Sequence, residues 1–417
     1  MSVQGVDESA AALARAHKPP HFQLERVVRP NILSLKPYRC ARDDYQSGIL
    51  LDANENALGH ALPEERTDAA LSGASPADLS LHRYPDPSLY GVRAAATTLR
   101  GLPHPAYTFM GVGSDEVLDL IQRCFARPGQ DKILICPPTY GMYSVCAAVN
   151  DVEVVEVPLR VDDGSFALDV DRVNATLAAD PAIKLVFLCS PGNPTSTLLP
   201  LEDVRKVLDN PAYNGLVVVD EAYIDFALAE QSLHRKHTGG EPLSACALVP
   251  EYANLIVSQT LSKSFGLAAI RLGLAFAQPA TVQVMNNTKA PYNISSPAAY
   301  IAAQALSPAG IERMQENVRT LLTNRDWLLQ QLQTIPAIGG VLGANDANFV
   351  LAQVLDRPGG KPDSARSRAV YRHMAEKLGL VVRDRGSELG CAGCLRITVG
   401  TDKEMARCVE LLRELLK

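Results

Sequence analysis

The sequence predicts an α/β protein in which a larger domain, built on a mostly parallel sheet, is joined to a smaller α+β domain. Three observations carry this. First, short apolar, β-branched runs recur at 133–136, 152–155, 185–189, 216–219, 255–257 and 272–276, separated by helix-like segments and Pro, Gly or Asn turns. Runs that are apolar throughout, without polar alternation, suit strands buried on both faces, and their alternation with helices is the pattern of a parallel α/β sheet. Second, the pattern changes after a long helical stretch at 313–332. Residues 347–351 and 395–399 read as strands of another sheet, and 402–416 reads as a closing amphipathic helix. Third, 417 residues exceed what one ordinary hydrophobic core accommodates.

The predicted boundaries are an N-terminal extension over 1–30, an arm with part of the small domain over 31–84, the large domain over 85–310, and the small domain over 311–417. Residues 114–125 read as a helix. Val117, Ile121, Cys124 and Phe125 share one face, and Ser114 stands at the N-cap position. Residues 357–368, rich in Pro, Gly and charge, read as an exposed loop.

Composition narrows the function. Hydrophobic residues make up 47%, enough for a sizeable core, and charged residues 21%, with a net charge of -6. That balance argues against a nucleic-acid surface. No apolar run reaches bilayer-spanning length, and the first twenty residues hold Asp7 and Glu8 rather than an apolar leader. No membrane partner is therefore expected. The nine cysteines are odd in number and scattered, with Cys136 and Cys189 in apolar runs, so they read as reduced thiols of a cytoplasmic protein. Cys391 and Cys394 have CxxC spacing without a second pair or nearby histidines. They read as a loop entering a strand, and no metal is expected.

Ligands of open α/β sheets bind at the carboxyl ends of the strands. The run at 185–189 is followed by Asn193, that at 216–219 by Asp220 and Tyr223, and that at 255–257 by Thr260, Ser262 and Lys263, with Arg271 eight residues on. Taken singly, each is ordinary: a solvated lysine, a capping aspartate, a turn asparagine. Gly111 and Gly113 lack the third glycine of a dinucleotide fingerprint, because Glu116 occupies its place.

Together and in this order, Pro191-Gly192-Asn193-Pro194, Asp220-Glu221-Ala222-Tyr223 and Ser262-Lys263 with Arg271 resemble the fold-type-I, aspartate-aminotransferase-like enzymes that use pyridoxal 5'-phosphate. The likeness runs from about residue 30 to the C-terminus. It implies that the lysine amine, Lys263, condenses with the cofactor aldehyde and later moves the substrate proton. Asp220 would keep the pyridine nitrogen protonated; a pair about 4 Å apart at an effective dielectric of about 20 interacts by roughly 4 kcal/mol, about three pKa units before desolvation. Tyr223 and Asn193 would bond the phenolic oxygen, and Tyr140 would stack on the ring. Ser114 and Asp115 at a helix start, with Thr260, Ser262 and Arg271, would cup the phosphate. Tyr84 would reach that phosphate from a neighbouring subunit, which implies a homodimer with shared active sites.

Within that family, Leu51-Asp52-Ala53-Asn54-Glu55-Asn56, Tyr84-Pro85-Asp86, Gly111 to Glu116, Thr260 to Gly266 and Cys394 to Gly400 resemble the histidinol-phosphate aminotransferases. The likeness implies amino transfer between L-histidinol phosphate and 2-oxoglutarate, giving imidazole-acetol phosphate and L-glutamate in histidine biosynthesis. Arg396 and Arg383 would bind the substrate's anionic end, since guanidinium forks suit phosphate and carboxylate. Tyr38, and Tyr292 from the partner chain, would lie on the substrate side. Two departures stand out: Ala57 and Asn293 occupy positions where the family usually or often has Pro. Three alternatives stay open. They are an aromatic amino acid aminotransferase, a decarboxylase of a phosphorylated amino acid, and, least favoured by charge and by the short extension, a transcription regulator with an aminotransferase-like domain.

Overall fold

The computed structural model describes residues 44, 45, 47–63 and 79–417. Tyr38 and the predicted 1–30 extension lie outside the described residues. The first strand, β1 (Ile49–Leu50), precedes a seven-stranded sheet. That sheet comprises β2 (Thr108–Val112), β3 (Lys132–Ile135), β4 (Glu153–Glu156), β5 (Ile183–Cys189), β6 (Leu216–Asp220), β7 (Leu255–Thr260) and β8 (Leu272–Ala277), in the order β2-β8-β7-β6-β5-β3-β4. Strands β7, β6, β5, β3 and β4 pair in parallel, and only β8 opposes its neighbours. The mostly parallel sheet expected from the apolar runs is present, and β2 extends it upstream of them.

Except in the edge strand β4, which holds Glu153 and is only partly buried, those runs are unbroken because both faces are covered. Alternate strand residues point to opposite faces. Val217, Val219, Leu255 and Val257 enter one core cluster, while Val218, Ile256, Leu185 and Phe187 enter the other. Each fully buried side chain of this size contributes about 1.5–3 kcal/mol. The Gly113–Phe125 helix covers the second face with Val117 and Ile121, and Cys124 and Phe125 pack alongside. Its capping position is Val112 rather than Ser114, and no side chain caps it. The cap lies two residues earlier because Gly113 takes φ +73, a left-handed conformation open to glycine.

A second sheet runs antiparallel in the order β12-β13-β10-β9, from β9 (Ile338–Leu342), β10 (Phe349–Val354), β12 (Arg383–Asp384) and β13 (Cys394–Thr398). Strand β11 (Leu380–Val381) pairs in parallel with β1, so Ile49 and Leu50 join the C-terminal part. The long helix is Pro308–Gln333, and the closing helix Asp402–Leu415 begins with a capping box between Thr401 and Glu404. The expected 357–368 loop is shorter: a helix starts at Ser364, where Asp363 accepts hydrogen bonds from the N–H groups of Ala365 and Arg366. That cap sits inside a stretch whose Pro, Gly and charge content otherwise reads as loop. Cys391 and Cys394 form the turn entering β13, with the Cys394 N–H donating to the Cys391 carbonyl at 2.9 Å. No helix among the described residues is long and apolar enough to cross a membrane.

Candidate active site

The reversed strand β8 is what assembles the site. Parallel strands β5, β6 and β7 end at one edge with Cys189, Asp220 and Thr260. Because β8 runs backwards between β7 and β2, its first residue, Leu272, pairs with Val112 at that same edge. Arg271 therefore arrives beside Gly113 and Ser114. A Cβ on Gly113 would meet the Arg271 guanidinium at 2.4 Å, and one on Gly273 would meet the Gly113 carbonyl carbon at 2.3 Å. Glycine at both positions lets the arginine lie against the helix start.

Asp220 is 3% exposed. Its Oδ2 accepts the Tyr143 hydroxyl at 2.8 Å, and its Oδ1 accepts the Ser258 hydroxyl at 3.0 Å. Burial raises its pKa to about 6 against these two bonds. Lys263 is half-buried and donates to the Ala53 carbonyl at 2.8 Å. Burial first, and then the Arg396 charge, push its pKa down to about 8. The ammonium nitrogen lies 5.9 Å from the Tyr223 ring centroid. Tyr223 accepts a hydrogen bond from Asn54 Nδ2 at 3.0 Å, and burial raises its pKa to about 12.

One end of the cavity is built from hydroxyls and amides. Thr260 and Ser262 share a hydrogen bond between their hydroxyls at 2.8 Å. Asp115 accepts the Tyr140 hydroxyl at 3.0 Å and Arg271 Nη2 at 3.3 Å. Its carboxylate thus aims Arg271 and Tyr140, while the helix start offers its backbone N–H groups.

The opposite wall is cationic. Arg396 Nη1 donates to Asn193 Oδ1 at 2.6 Å, its Nη2 donates to the Asp52 carbonyl, and its guanidinium lies 5.4 Å from the Phe349 ring centroid. Burial first, and then Arg385, lower its pKa to about 10. Arg396 Nε and Asp52 Oδ1 are buried and have no hydrogen-bond partner among the described residues.

Ser114, Asp115, Tyr140, Asn193, Asp220, Tyr223, Thr260, Ser262, Lys263, Arg271, Arg383 and Arg396 all line one cavity of about 250 Å³. Tyr84 and Tyr292 do not. They are 82% and 43% exposed, and they stack on each other with ring centroids 4.8 Å apart. The sequence assigns no role to Tyr143, Ser258 or Arg385, and none to Asp52 and Asn54 beyond their place in the Leu51–Asn56 string. Arg385 had a legible signal, since it lies two residues from Arg383 and residues so spaced on an extended segment share a face. Of the two departures, Ala57 is exposed. Asn293 donates to Glu116 at 2.9 Å, and Glu116 in turn accepts the Val112 N–H, so this departure braces the Gly113 turn.

These groups fit pyridoxal phosphate: a buried carboxylate, an amine held partly neutral, and a helix start whose glycines admit an arginine. Among the described residues no cluster of His, Cys, Asp and Glu could hold a metal ion.

Residues 46–412 match the family described as Aminotransferase class I and II. The histidinol-phosphate aminotransferase of Schizosaccharomyces pombe is 46% identical over 404 residues, covering 95% of this chain and 98% of the relative. That of Saccharomyces cerevisiae is 44% identical over 411 residues, again covering 95% and 98%. Among solved structures, the histidinol-phosphate aminotransferase of Sinorhizobium meliloti in complex with pyridoxal-5'-phosphate superposes with TM-score 0.75 at 22% identity, covering 93% of this chain and 97% of that one. A Thermus thermophilus aspartate aminotransferase double mutant gives TM-score 0.72 at 21% identity, covering 93% and 99%. These two likenesses speak to the fold, which is that of the aspartate-aminotransferase-like enzymes. By the family match and by the identity and coverage of its relatives, the chain belongs to the class I and II aminotransferases, in the histidinol-phosphate aminotransferase family.

Proposed function

We propose that the protein uses pyridoxal 5'-phosphate to transfer an amino group between L-histidinol phosphate and 2-oxoglutarate, giving imidazole-acetol phosphate and L-glutamate in histidine biosynthesis. The observation that carries the substrate choice is the arginine wall. Arg383 and Arg396 are cross-strand partners, and Arg385 lines the same cavity. Arg385 is itself paired with Glu388 at 2.6 Å, so Arg383 and Arg396 carry the choice: two guanidinium groups suit a dianionic phosphate better than the lone carboxylate of an aromatic amino acid.

When bound, the cofactor supplies an aldehyde that captures the substrate amine and a ring that accepts the electrons freed at the reacting carbon. Lys263 is the amine that holds the aldehyde and the base that moves the proton. Its lowered pKa supports both roles, because a neutral amine is nucleophilic. Asp220, fixed by Tyr143 and Ser258, holds a proton on the ring nitrogen. Tyr223 and Asn193 would orient the ring's phenolic oxygen, and Tyr140, which lines the same cavity, would pack on the ring. Ser114, Thr260, Ser262 and Arg271 would hold the phosphate, with Asp115 contributing its backbone N–H at the helix start while its carboxylate aims Arg271. Arg396 and Arg383 bind the anionic end of either substrate.

The exposure of Tyr84 and Tyr292, stacked on the surface, supports a homodimer in which each subunit lends them to its partner's site. Mixing Tyr84→Ala with Lys263→Ala subunits should then restore activity missing from each alone. No restoration would mean that the site is not shared. The eight free cysteines among the described residues support a cytoplasmic setting.

The deciding experiment mixes the enzyme with histidinol phosphate, and separately with phenylalanine, and follows the visible absorption of the bound cofactor. Faster bleaching with histidinol phosphate is expected. Faster bleaching with phenylalanine would move the protein to the aromatic aminotransferases, and carbon dioxide release without need of a keto acid would make it a decarboxylase. Lys263→Ala should lack both turnover and the visible band.

A further inference from the structure

Behind the Lys263 turn lies a second buried polar array that the reaction above does not use. Strand residues alternate between faces, so Gln259 and Glu221 turn away from the Ser258–Asp220 pair. Ser264, next to Lys263, donates its hydroxyl to Asp225 Oδ2 at 2.5 Å. Asp225 stands in the first turn of the Ile224–Ser232 helix and forms an ion pair with Arg100 at 2.8 Å, the two side chains being 10% and 7% exposed. Arg100 Nε donates to Gln259 Oε1 at 2.6 Å, and Gln259 Nε2 donates to Glu221 Oε2 at 2.8 Å. The Ser244 hydroxyl and the Ala245 N–H hold Glu221, each at 2.6 Å. An unbroken chain of buried hydrogen bonds thus runs from the residue after Lys263 to the residue after Asp220. None of its members lines the cavity.

Fold stability alone is a weak reason for such an array. Burying charges costs several kcal/mol per ion, and well-packed apolar replacements are often neutral or stabilising. The turn it touches needs support, however. Between β7 and β8 the segment carrying Lys263 forms no helix longer than one short 3-10 turn. On its other side, Asn56 donates to the Ser264 carbonyl at 3.1 Å, and Gly266 packs so close to Gly59 that a Cβ would meet the Gly59 carbonyl oxygen at 2.1 Å. The turn is clamped between the 53–61 segment and Asp225. Lysine has a flexible four-carbon stem, so the aim of its amine depends on how firmly this backbone is held.

We propose that the Arg100–Asp225 ion pair, acting through the Ser264 hydroxyl, is a positioning device that holds the Lys263 turn so that the amine points into the cavity. Arg100, Asp225 and Ser264 are positioning residues. The proposal rests on reading Lys263 as the cofactor lysine.

The test uses the full-length enzyme loaded with pyridoxal phosphate. Ser264→Ala and Asp225→Asn are compared with Asp131→Asn. Asp131 is a buried carboxylate paired with Arg127 at the amino end of β3, the edge away from the site. Ser264→Ala and Asp225→Asn should each lower kcat about tenfold or more with KM held within about twofold, because misplacing a reacting group by about 1 Å costs up to 10²-fold. They should also move the pH midpoint of the cofactor's visible band by about half a unit or more. Asp131→Asn should lower Tm and move neither, and Ser264→Thr, which keeps the hydroxyl, should restore both. If Ser264→Ala and Asp225→Asn lower Tm while kcat and the midpoint stay at wild-type values, the array is structural and the proposal fails. Should Asp225→Asn not fold, the Ser264 pair decides alone. A Lys263→Ala enzyme that keeps the wild-type band would instead overturn the assignment of the lysine itself.

Discussion

Arg383 and Arg396 face each other in register across β12 and β13. Like charges directly opposite on a sheet are destabilising by about 0.2–1 kcal/mol, and here both guanidinium groups line the same cavity. An anion bound between them would relieve that repulsion. Arg383→Ala should therefore raise the KM for histidinol phosphate about tenfold more than that for glutamate, a charge-assisted hydrogen bond being worth about 1.5–3 kcal/mol. Steady-state kinetics with both amino donors check this. Equal effects would mean that Arg383 does not single out the phosphate.

Asp220 sets function against stability. Its pKa rises from 3.8 in the unfolded chain to about 6 in the fold. Between those values the folded protein binds a proton that the unfolded chain has released. Stability therefore falls as pH climbs through that window and stays lower above it, by about 3 kcal/mol at most. Asp220→Asn should make the cofactor-free protein more stable than wild type at pH 8, and the gain should shrink as pH falls toward 3.8. Turnover should be mostly lost. Urea midpoints measured across pH, beside activity, test both halves, and a gain that does not depend on pH would contradict the burial argument.

The depressed pKa of Lys263 predicts when the enzyme captures its cofactor. An ordinary lysine titrates near 10.4, whereas burial and then the Arg396 charge bring this one to about 8. The rate at which cofactor-free enzyme binds pyridoxal phosphate should rise with a midpoint near that value. Arg396→Ala, by removing a depressing charge, should move the midpoint upward. Stopped-flow measurements across pH distinguish this from a midpoint above 10, which would leave the amine unperturbed.

Asn54 couples the two sheets at the site. It donates to the Tyr223 hydroxyl at 3.0 Å, its N–H donates to Thr398 Oγ1 at 3.0 Å, and its Oδ1 accepts the Thr398 hydroxyl at 3.1 Å. Asn54→Ala should cost about 1–3 kcal/mol through stranded buried groups and should also move the pH midpoint of the cofactor's visible band. Thr398→Val, which leaves the bond to Tyr223, should lower stability with little effect on the band. If both variants moved the band alike, Asn54 would not be acting through Tyr223.

Local chemistry made some residues legible and long-range pairing hid others. The apolar runs announced the parallel sheet because strands buried on both faces leave little room for polar alternation. Asn193, Asp220 and Lys263 could be found because each follows such a run, at the edge where ligands bind. Ser258 and Tyr143 gave no comparable sign. Ser258 is a partner of Asp220 only through the β6–β7 register, and Tyr143 reaches it from a helix 77 residues earlier. Ser114 read as a cap because serine at a helix start usually is one. The φ of Gly113 moved the cap two residues earlier, to Val112, and no side chain caps the helix.

The sheet, the family and the residue types that line the cavity were legible from sequence, since these rest on burial patterns and short strings within single segments. Tertiary structure decided how the cup closes. The reversal of β8 carries Arg271 to the edge reached by Thr260 and Ser114, and the pairing of β12 with β13 brings Arg383 opposite Arg396. Strand direction and register depend on partners distant in the chain, so no local pattern encodes them, yet they bring these three arginines to one cavity.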